Sequence, residues 1–400
     1  MLKLIQAVTD TLPQPETVSD RSSRAYHAAI VLSGLMAAIG VAFGVHSLVA
    51  GHEHLFNCTR EIPWGLLIAA YVFFVVTSTG LCIVSSIGHV FGYKPFQAIA
   101  PRAVFMAIAT IISGFLIIAF EIENPWRMAI YNIISPNLTS NIWWMGTLYG
   151  AYLFFMLIEF AMLLKGLHKQ AAFIGLLGLL SGAAAHSNLG AVFGLLGARE
   201  FWHGPYMPIY FITSAAMSGC AAVLFFTYLA YKANGWKMNE ELKRSLSATG
   251  KLGLLLIAII MFFTTWKVLA GIAGHPPGKY EAMMALLKGP YALNFWIGEI
   301  AMGMVLPFAI IWAVRANNVP AMFIAGTLSI IGIFFMRYDL VLVGQIVPVY
   351  AEYNLVDFPE YLQYVPSLHE IMITAGGFGL CIMLFLMGEK MFKGHLPHDH

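Results

Sequence analysis

The sequence predicts an all-α membrane protein with about ten transmembrane helices, and three observations support this fold class. Only 10% of the 400 residues are charged and 59% are hydrophobic, whereas roughly a quarter of the residues in soluble domains are charged. Apolar runs long enough to cross a bilayer recur from one end of the chain to the other. The segments between these runs are too short to hold a separate soluble domain.

A transmembrane helix needs roughly 20 apolar residues. The spans predicted on this basis are 27–49, 64–91, 102–121, 141–165, 171–197, 205–231, 250–271, 291–315, 320–340 and 368–388. The fifth span could instead end near Asn188, with the glycine-rich stretch 190–197 at the membrane interface. Residues 27–388 thus form a ten-helix domain. It lies between an N-terminal segment, residues 1–26, which lacks the apolar core of a signal peptide, and a C-terminal tail, residues 389–400.

The distribution of Lys and Arg predicts that both termini face the cytoplasm. With the N-terminus inside, 15 of the 22 basic residues fall on inner segments and seven on outer segments, as the positive-inside rule requires. The segment 232–251 alone holds five of the inner charges. Most of the turns that carry Trp and Pro then lie on the outer face.

Composition also excludes several classes of protein and cofactor. The chain is too apolar for a disordered protein or a disulfide-stapled secreted module, and its net charge of +2 does not indicate a nucleic-acid partner. The cysteines are far apart and form no Cys-x-x-Cys pair; they are Cys58, Cys82, Cys220 and Cys381. We therefore expect no metal site and no cysteine-bound cofactor.

Ionisable residues inside apolar spans are costly and usually face the interior of the bundle, so each of them marks a candidate site. Those in the outer half of the predicted spans, or at its edge, are Glu121, His186, Arg337, Asp339, His369 and Glu370. Those in the middle and inner half are His89, Glu159 and Glu299. Two groups at different depths are therefore predicted.

The outer group provides the residue types that a quinone pocket needs. A quinone binds between apolar walls, where one or two groups hydrogen-bond its carbonyl oxygens and exchange protons with it. The inner group could continue as a proton path from the cytoplasm, because chains of carboxylates and imidazoles carry protons through a dry bundle.

Structural roles remain open for the same residues. Arg337 and Asp339 do not share one helical face, so each could pair with a neighbouring helix instead. Glu299 could make a simple interhelical hydrogen bond.

A b-type haem would need two imidazoles on facing helices at one depth. His186, His369 and His46 approach this requirement, although no pair stands out. Without haem, electrons must reach a quinone directly from a partner's cofactor.

Several short stretches, taken together and in order, resemble one known family. They are Pro63-Trp64-Gly65, Ser86 to Phe91, Pro101-Arg102-Ala103, Glu121 to Pro125, His186 to Gly190, Trp202 to Pro205 with Pro208, Met336 to Asp339, Val343 to Gln345, and Val365 to Glu370. Over residues 55–388 the chain resembles the NrfD/PsrC family of membrane subunits, found in polysulfide-reductase-like, menaquinol-linked and hydrogenase-linked complexes.

The resemblance implies two four-helix bundles, about residues 64–197 and 205–340, flanked by the first and last helices as in the ten-span branch. It implies a subunit of the bacterial cytoplasmic (inner) membrane that takes menaquinone or ubiquinone as substrate and itself binds no haem or iron–sulfur cluster. A ferredoxin-type iron–sulfur subunit would dock on the outer face. A molybdopterin enzyme, a multihaem cytochrome or a hydrogenase would lie beyond that subunit.

The resemblance also suggests which residues carry the function. The quinone site would lie near the outer face of the first bundle and include Glu121, His186, Ser187, Asn188, Trp202 and His203. The proton path would include Glu159, His89, Glu299, Arg337, Asp339 and His369. Some relatives have Asp followed by Gly-Arg-Pro where this chain has Glu121 to Pro125, so Asn124 stands in place of an arginine.

The function expected first is therefore a quinone-interacting subunit of a respiratory oxidoreductase complex that exchanges electrons with an iron–sulfur partner, with or without proton translocation. The alternatives are a proton-coupled secondary transporter and a b-type cytochrome anchor. Transporters often have Gly- or Pro-interrupted spans at matching positions of two halves, and the sequence shows no such matched pair.

Overall fold

The computed structural model describes residues 20–349 and 359–392, and this part of the chain consists of helices and connecting segments without strands. Ten helices are long and apolar enough to cross a membrane. They are α1 Asp20–Ala50, α2 Leu66–His89, α3 Ala100–Glu121, α4 Asn141–Leu164, α5 His168–Gly194, α6 Tyr206–Asn234, α7 Glu240–Ile272, α8 Asn294–Ala313, α9 Val319–Ile346 and α10 Leu368–Met391. Shorter helices lie between them at His52–Leu55, Lys94–Ile99, Pro125–Ile134 and Lys279–Leu287. The predicted all-α polytopic fold is confirmed.

Helices α7 and α9 extend beyond the apolar runs that predicted them, and α5 decides between two predicted ends. Helix α7 begins at Glu240, where the Asn239 side chain accepts a hydrogen bond from the Leu242 amide at 2.9 Å. Most of the basic segment 232–251 is therefore helix and not loop. Helix α9 continues past residue 340 to Ile346. Helix α5 is continuous to Gly194, so the alternative end near Asn188 is wrong.

The termini were predicted as separate segments. Helix α1 already begins at Asp20, ahead of the predicted boundary at residue 27. Residues 1–19 and 393–400, which make up most of the expected terminal segments, lie outside the described residues.

The ten helices pack as two groups of four and one flanking pair. In the first group, α2 packs along α3 and α4 along α5, and contacts of α2 with α5 and of α3 with α4 complete the bundle. Helices α6 to α9 form the second group in the same way. Helices α1 and α10 run along each other and pack on α3 and α2. These are the contacts expected for two four-helix bundles with flanking first and last helices.

Close glycine contacts join the helices where the backbones cross. A Cβ on Gly80 of α2 would overlap the Ala215 carbonyl oxygen of α6, and a Cβ on Gly219 would overlap the Gly80 carbonyl oxygen. The same arrangement joins α1 to α10 at Gly40 and Gly376, and α8 to α9 at Gly303 and Gly332. Membrane helices associate through such close packing, because lipid supplies no hydrophobic driving force between them. The Gly80–Gly219 contact connects the two bundles backbone to backbone.

Adding one methyl group at this crossing should therefore destabilise the whole fold. We expect Gly219→Ala to lower the free energy of unfolding by about 1–3 kcal/mol, because the clash is with backbone and cannot be relieved by a rotamer change. The control is Gly150→Ala on α4, where an added Cβ meets no atom within 4 Å. Thermal unfolding of the purified chain in detergent measures both variants. Equal melting temperatures for the two variants would contradict the assigned contact.

Candidate functional site

A cavity of about 490 Å³ lies in the first bundle, at the end of the fold where α3 and α5 end and α2 and α4 begin. Its walls are mostly apolar and include Trp64, Ile118, Met145 and Phe193. The Tyr71 and Tyr149 rings and the Glu121 side chain also line it. The cavity is large enough for a small organic ring system and offers few polar groups, as is usual for ligand sites.

Glu121 is the last residue of α3 and belongs to this cavity, as the sequence predicted. Its Oε2 atom is buried and makes no hydrogen bond with any described residue. The chain then turns at Asn124, and Pro125 starts the short helix Pro125–Ile134, from which Pro125 and Met128 line the cavity. A buried carboxylate oxygen without a partner is costly, so this atom is available to bind a ligand or water.

His186 lies behind the cavity wall and contacts the cavity through Tyr149. The Tyr149 hydroxyl is 3.0 Å from His186 Nδ1, and His186 Nε2 is 3.1 Å from the Phe211 carbonyl oxygen. Because a carbonyl oxygen only accepts, Nε2 carries the hydrogen in the neutral imidazole, and Nδ1 accepts from the Tyr149 hydroxyl. If the imidazole took up a proton at Nδ1, it would become the donor, and the Tyr149 hydrogen could turn toward the cavity.

The other residues predicted for this site have different surroundings. Asn188 donates from Nδ2 to the Asn141 carbonyl oxygen at 2.6 Å and so fixes the start of α4. Trp202 is buried, and its ring centroid lies 5.4 Å from that of Trp64 and 5.1 Å from that of Phe193. Trp202 therefore supports the cavity wall from behind. Ser187 and His203 do not line the cavity, and His203 is exposed.

Gln345 of α9, in the second bundle, fixes the part of the cavity wall that Trp64 forms. Gln345 Oε1 accepts from the Trp64 amide at 3.0 Å, and its Nε2 donates to the Trp64 carbonyl oxygen at 2.9 Å. The Trp202 indole donates to the Leu340 carbonyl oxygen at 2.7 Å. A Cβ on Gly344 would overlap this indole, so glycine is required at this position.

A second carboxylate, Glu370 of α10, lies near Glu121; it belongs to the predicted outer group but not to the residues that the family resemblance suggested for the quinone site. It is fully buried and accepts hydrogen bonds from the Tyr364 hydroxyl, the Ser367 amide at 2.8 Å and the Asn57 amide at 3.2 Å. The Cys58 thiol is 3.7 Å from Glu370 Oε1. Burial, and then the charges of Glu121 and Glu370, raise the pKa of the Cys58 thiol above its usual range.

Two pairs of polar side chains lie between the cavity and the opposite end of the first bundle. The Tyr152 hydroxyl contacts Ser78 Oγ at 2.9 Å, and further along His89 Nδ1 lies 3.1 Å from Glu159 Oε1. Glu159 is ten residues beyond Tyr149 on α4, hence about 15 Å away along the helix axis. The structure thus pairs the predicted residues Glu159 and His89 with each other.

Tyr149 and Tyr152 are not among the predicted site residues, although the sequence carries a signal for both. Tyr149, Tyr152, Met156 and Glu159 follow one another at spacings of three and four residues and so share a face of α4. The facing side of α2 carries Ser78, Cys82, Ser85 and His89 at the same spacings. Two polar faces therefore meet inside an otherwise apolar bundle.

The remaining predicted carboxylates and Arg337 form a separate cluster in the second bundle. Lys267 Nζ of α7 lies 3.6 Å from Glu299 Oε1 of α8, whose first part, Asn294–Val305, is a π-helix. Arg337 of α9 donates to the Ser214 hydroxyl, and its guanidinium carbon lies 5.0 Å from the Phe211 ring centroid. Arg337 is thus close to the His186 side of the first bundle.

This cluster contains many buried polar atoms that lack hydrogen bonds. Those without a partner among the described residues include the Tyr206 and Tyr210 hydroxyls, Arg337 Nε and Nη1, and both carboxylate oxygens of Asp339. Asn294 is a polar neighbour of Asp339. Buried water usually occupies places of this kind, since it satisfies otherwise unpaired groups.

His369 lies neither at the Glu121 cavity nor in the cluster around Arg337. Its Nε2 is 2.9 Å from Nδ1 of His46, which lies on α1 and is exposed. The pair connects the flanking helices near the end of the fold that contains Glu121. His186, the third histidine considered for haem, has both ring nitrogens engaged within the protein.

Comparison with known proteins assigns this arrangement to a family. Residues 54–349 match the family model of polysulphide reductase, NrfD. The chain belongs to the NrfD family. The matched region contains both four-helix groups, whereas α1 and α10 lie outside it. Glu370 and His369 are therefore not part of the NrfD match, whereas Glu121, Tyr149, His186 and Arg337 are.

The NrfD relatives are of similar size. One subunit of the selenate reductase of Mesobacillus selenatarsenatis is 27% identical, over 82% of this chain and 85% of that protein. The Hdr-like menaquinol oxidoreductase integral membrane subunit of Archaeoglobus fulgidus is 25% identical, over 90% of this chain and 91% of its own length. A putative dimethyl sulfoxide reductase membrane subunit of Halobacterium salinarum is 24% identical, over 82% of both chains.

The raised pKa of Cys58 predicts slow alkylation of this thiol. Because the thiolate is the nucleophile, iodoacetamide at pH 8 should modify Cys58 of the NrfD chain several-fold more slowly than it modifies free cysteine. Glu370→Gln removes one of the charges that raise this pKa and should speed up the reaction. Glu61→Gln, at an exposed neighbouring carboxylate, should not. Mass spectrometry of the modified peptide measures the rates, and the assignment is wrong if Cys58 reacts as fast as free cysteine.

Proposed function

We propose that the chain is the quinone-reacting membrane subunit of an oxidoreductase complex. In this role it exchanges two electrons and two protons between menaquinone or ubiquinone and an iron–sulfur partner subunit. The observation that carries the proposal is the apolar cavity lined by Glu121 and Tyr149, with Tyr149 bonded to His186. Two relatives support it by name, one as a menaquinol oxidoreductase subunit and one as a subunit of selenate reductase.

The cavity suits the chemistry of a quinone head group. Its apolar walls would hold the ring. Protonated Glu121 would donate to one carbonyl oxygen, and the Tyr149 hydroxyl would donate to the other once His186 is protonated at Nδ1 and no longer accepts from it. Reduction of the quinone takes up two electrons and two protons, whereas oxidation of the quinol releases the same number. Glu121 would exchange one proton, and Tyr149 would exchange the other with His186, whose Nδ1 faces the tyrosine hydroxyl at 3.0 Å.

The electrons would come from a partner that docks at the end of the fold with Glu121. In our proposal this is a ferredoxin-type iron–sulfur subunit, with a molybdopterin enzyme, a multihaem cytochrome or a hydrogenase beyond it. The short helix Pro125–Ile134 lies over the cavity at this end and has no buried residue. The side chains of Trp126 and Ile133 are among its exposed apolar groups, and they would form part of the docking surface.

The charge distribution supports the membrane orientation that we propose. The Glu121 end would face outward, and both termini would lie in the cytoplasm of a bacterial cell, with the chain in its inner membrane. The proton path would then run from the cytoplasmic end at His89 and Glu159, past Tyr152 and Ser78, toward Tyr149. The cluster of Lys267, Glu299, Arg337 and Asp339 would form a second path, filled by water at its unpaired polar atoms.

Replacing Glu121 tests the quinone site. We expect Glu121→Gln to lower the rate of quinol oxidation by the complex at least 100-fold, because general acid–base groups typically contribute 10²–10⁴-fold to rate. Tyr149→Phe should lower it at least ten-fold. The control is Glu123→Gln, at an exposed carboxylate two residues further on. Binding of a fluorescent quinol analogue is measured in parallel. Unchanged turnover in Glu121→Gln, or analogue binding that menaquinone does not displace, would contradict the proposal.

Replacing Glu159 tests the proton path separately from the quinone site. In reconstituted vesicles, Glu159→Gln should reduce the membrane potential formed per electron, while the protein still assembles and electron transfer from quinol continues. Glu299→Gln is the matched variant for the second bundle and shows which of the two paths carries protons. A membrane potential equal to that of the native protein in both variants, at full electron transfer, would rule out both paths.

A further inference from the structure

A second cavity, of about 530 Å³, lies where the flanking pair α1 and α10 meets α2, α6 and α9. It shares no lining residue with the Glu121 cavity. It extends from Phe225 to Ala233 along α6 and from Phe378 to Leu386 along α10. Each of these two helical stretches is about 12 Å long, at 1.5 Å per residue. The cavity thus reaches from the middle of the membrane to the end of the fold where α1 begins and α6 and α10 end.

The interior of this cavity offers almost no hydrogen bonds to an occupant. Thr77 Oγ1 donates to the Phe73 carbonyl oxygen at 2.8 Å, and Thr110 Oγ1 donates to the Met106 carbonyl oxygen at 2.7 Å. The Tyr26 hydroxyl, at the mouth, donates to the Leu386 carbonyl oxygen at 2.6 Å. A quinone ring bound inside would leave its carbonyl oxygens without donors, and this is costly in a dry site. A hydrocarbon chain has no such requirement.

Three basic residues lie close in sequence to residues at the mouth of the cavity, and one of them, Lys390, has its Nζ atom 2.6 Å from His27 Nε2. Arg24, Lys232 and Lys390 are exposed, and they lie next to or within one helical turn of the lining residues Ala25, Ala233 and Leu386. The carboxylate closest in sequence, Glu389, is buried and paired with Arg102 at 2.7 Å. Basic side chains at this depth attract anionic lipid head groups.

We propose that this cavity binds one acyl chain of an anionic phospholipid, whose phosphate is held by Arg24, Lys232 and Lys390. The surrounding bilayer supplies the ligand. An acyl chain in this space would restore the dispersion contacts that the apolar lining side chains otherwise lack. Since α1 makes little direct contact with α6, the bound chain would fill the gap between the flanking pair and the second bundle.

Native mass spectrometry of the full chain tests this proposal. The chain is purified in mild detergent and reconstituted with phosphatidylglycerol or with phosphatidylcholine of the same acyl composition. We expect phosphatidylglycerol to remain bound and phosphatidylcholine to be lost. Ala29→Phe, which fills the cavity, should abolish retention of phosphatidylglycerol. Ala28→Phe is the matched control, because Ala28 is the exposed neighbour and does not line the cavity.

Two charge variants keep the test informative if Ala29→Phe does not assemble. Lys232→Gln and Lys390→Gln leave the cavity open, and each should weaken retention of phosphatidylglycerol about five-fold. The proposal is overturned by equal retention in Ala28→Phe and Ala29→Phe, or by equal retention of the two lipids. It is also overturned if the molecule displaced by Ala29→Phe is a menaquinone. None of these results bears on quinol turnover at Glu121, so the proposed function stands or fails separately.

Discussion

The backbone contact between α2 and α6 is the constraint on which the rest of the structure depends. Gly80 and Gly219 meet so closely that a side chain on either would overlap the other helix. This contact places the two bundles side by side without intervening lipid. In this arrangement His186 of α5 reaches the Phe211 carbonyl oxygen of α6, and Arg337 of α9 lies over the Phe211 ring. The side chains behind the Glu121 cavity in one bundle are thereby connected to a charged cluster in the other.

Within the membrane, the hydrogen-bond partners of a polar side chain show whether it has a structural role or is a candidate for function. The lipid around the protein cannot replace a missing hydrogen bond, so a paired group is explained by its partner. Arg102 and Glu389 form a buried two-point ion pair, and Gln345 makes two hydrogen bonds to Trp64. Glu121 and Asp339 instead have buried oxygens without hydrogen bonds among the described residues. Such atoms need water or a ligand, which is why we place the chemistry at these positions.

The fold was largely predictable from the sequence, whereas the connections within the site were not. Apolar runs identify ten spans because the bilayer requires each of them to be long and continuous. They do not show where α7 begins, because its first turns, from Glu240 to Arg244, are charged. They also do not show where α9 ends, because the apolar stretch between Asp339 and Gln345 is too short to count as part of a span. The sequence shows that His369 is a polar residue within a span. It does not show that His369 pairs with His46, because the two residues are 323 positions apart. Tyr149 was overlooked because a tyrosine counts as apolar in such a run, and its role depends on which helix its hydroxyl faces.

The flanking helices, which lie outside the NrfD match, still contribute to the cavity. Glu370 of α10 accepts from the Tyr364 hydroxyl, and this hydroxyl in turn accepts from the Leu66 amide at the start of α2 at 2.7 Å. Two residues earlier, Trp64 forms the cavity wall. The start of α2 is therefore fixed by α10 through Tyr364 and by α9 through Gln345. A shift of α10 would move Leu66 and with it the Trp64 wall, so the volume available to a ligand beside Glu121 depends on how firmly the flanking pair is held against the bundles.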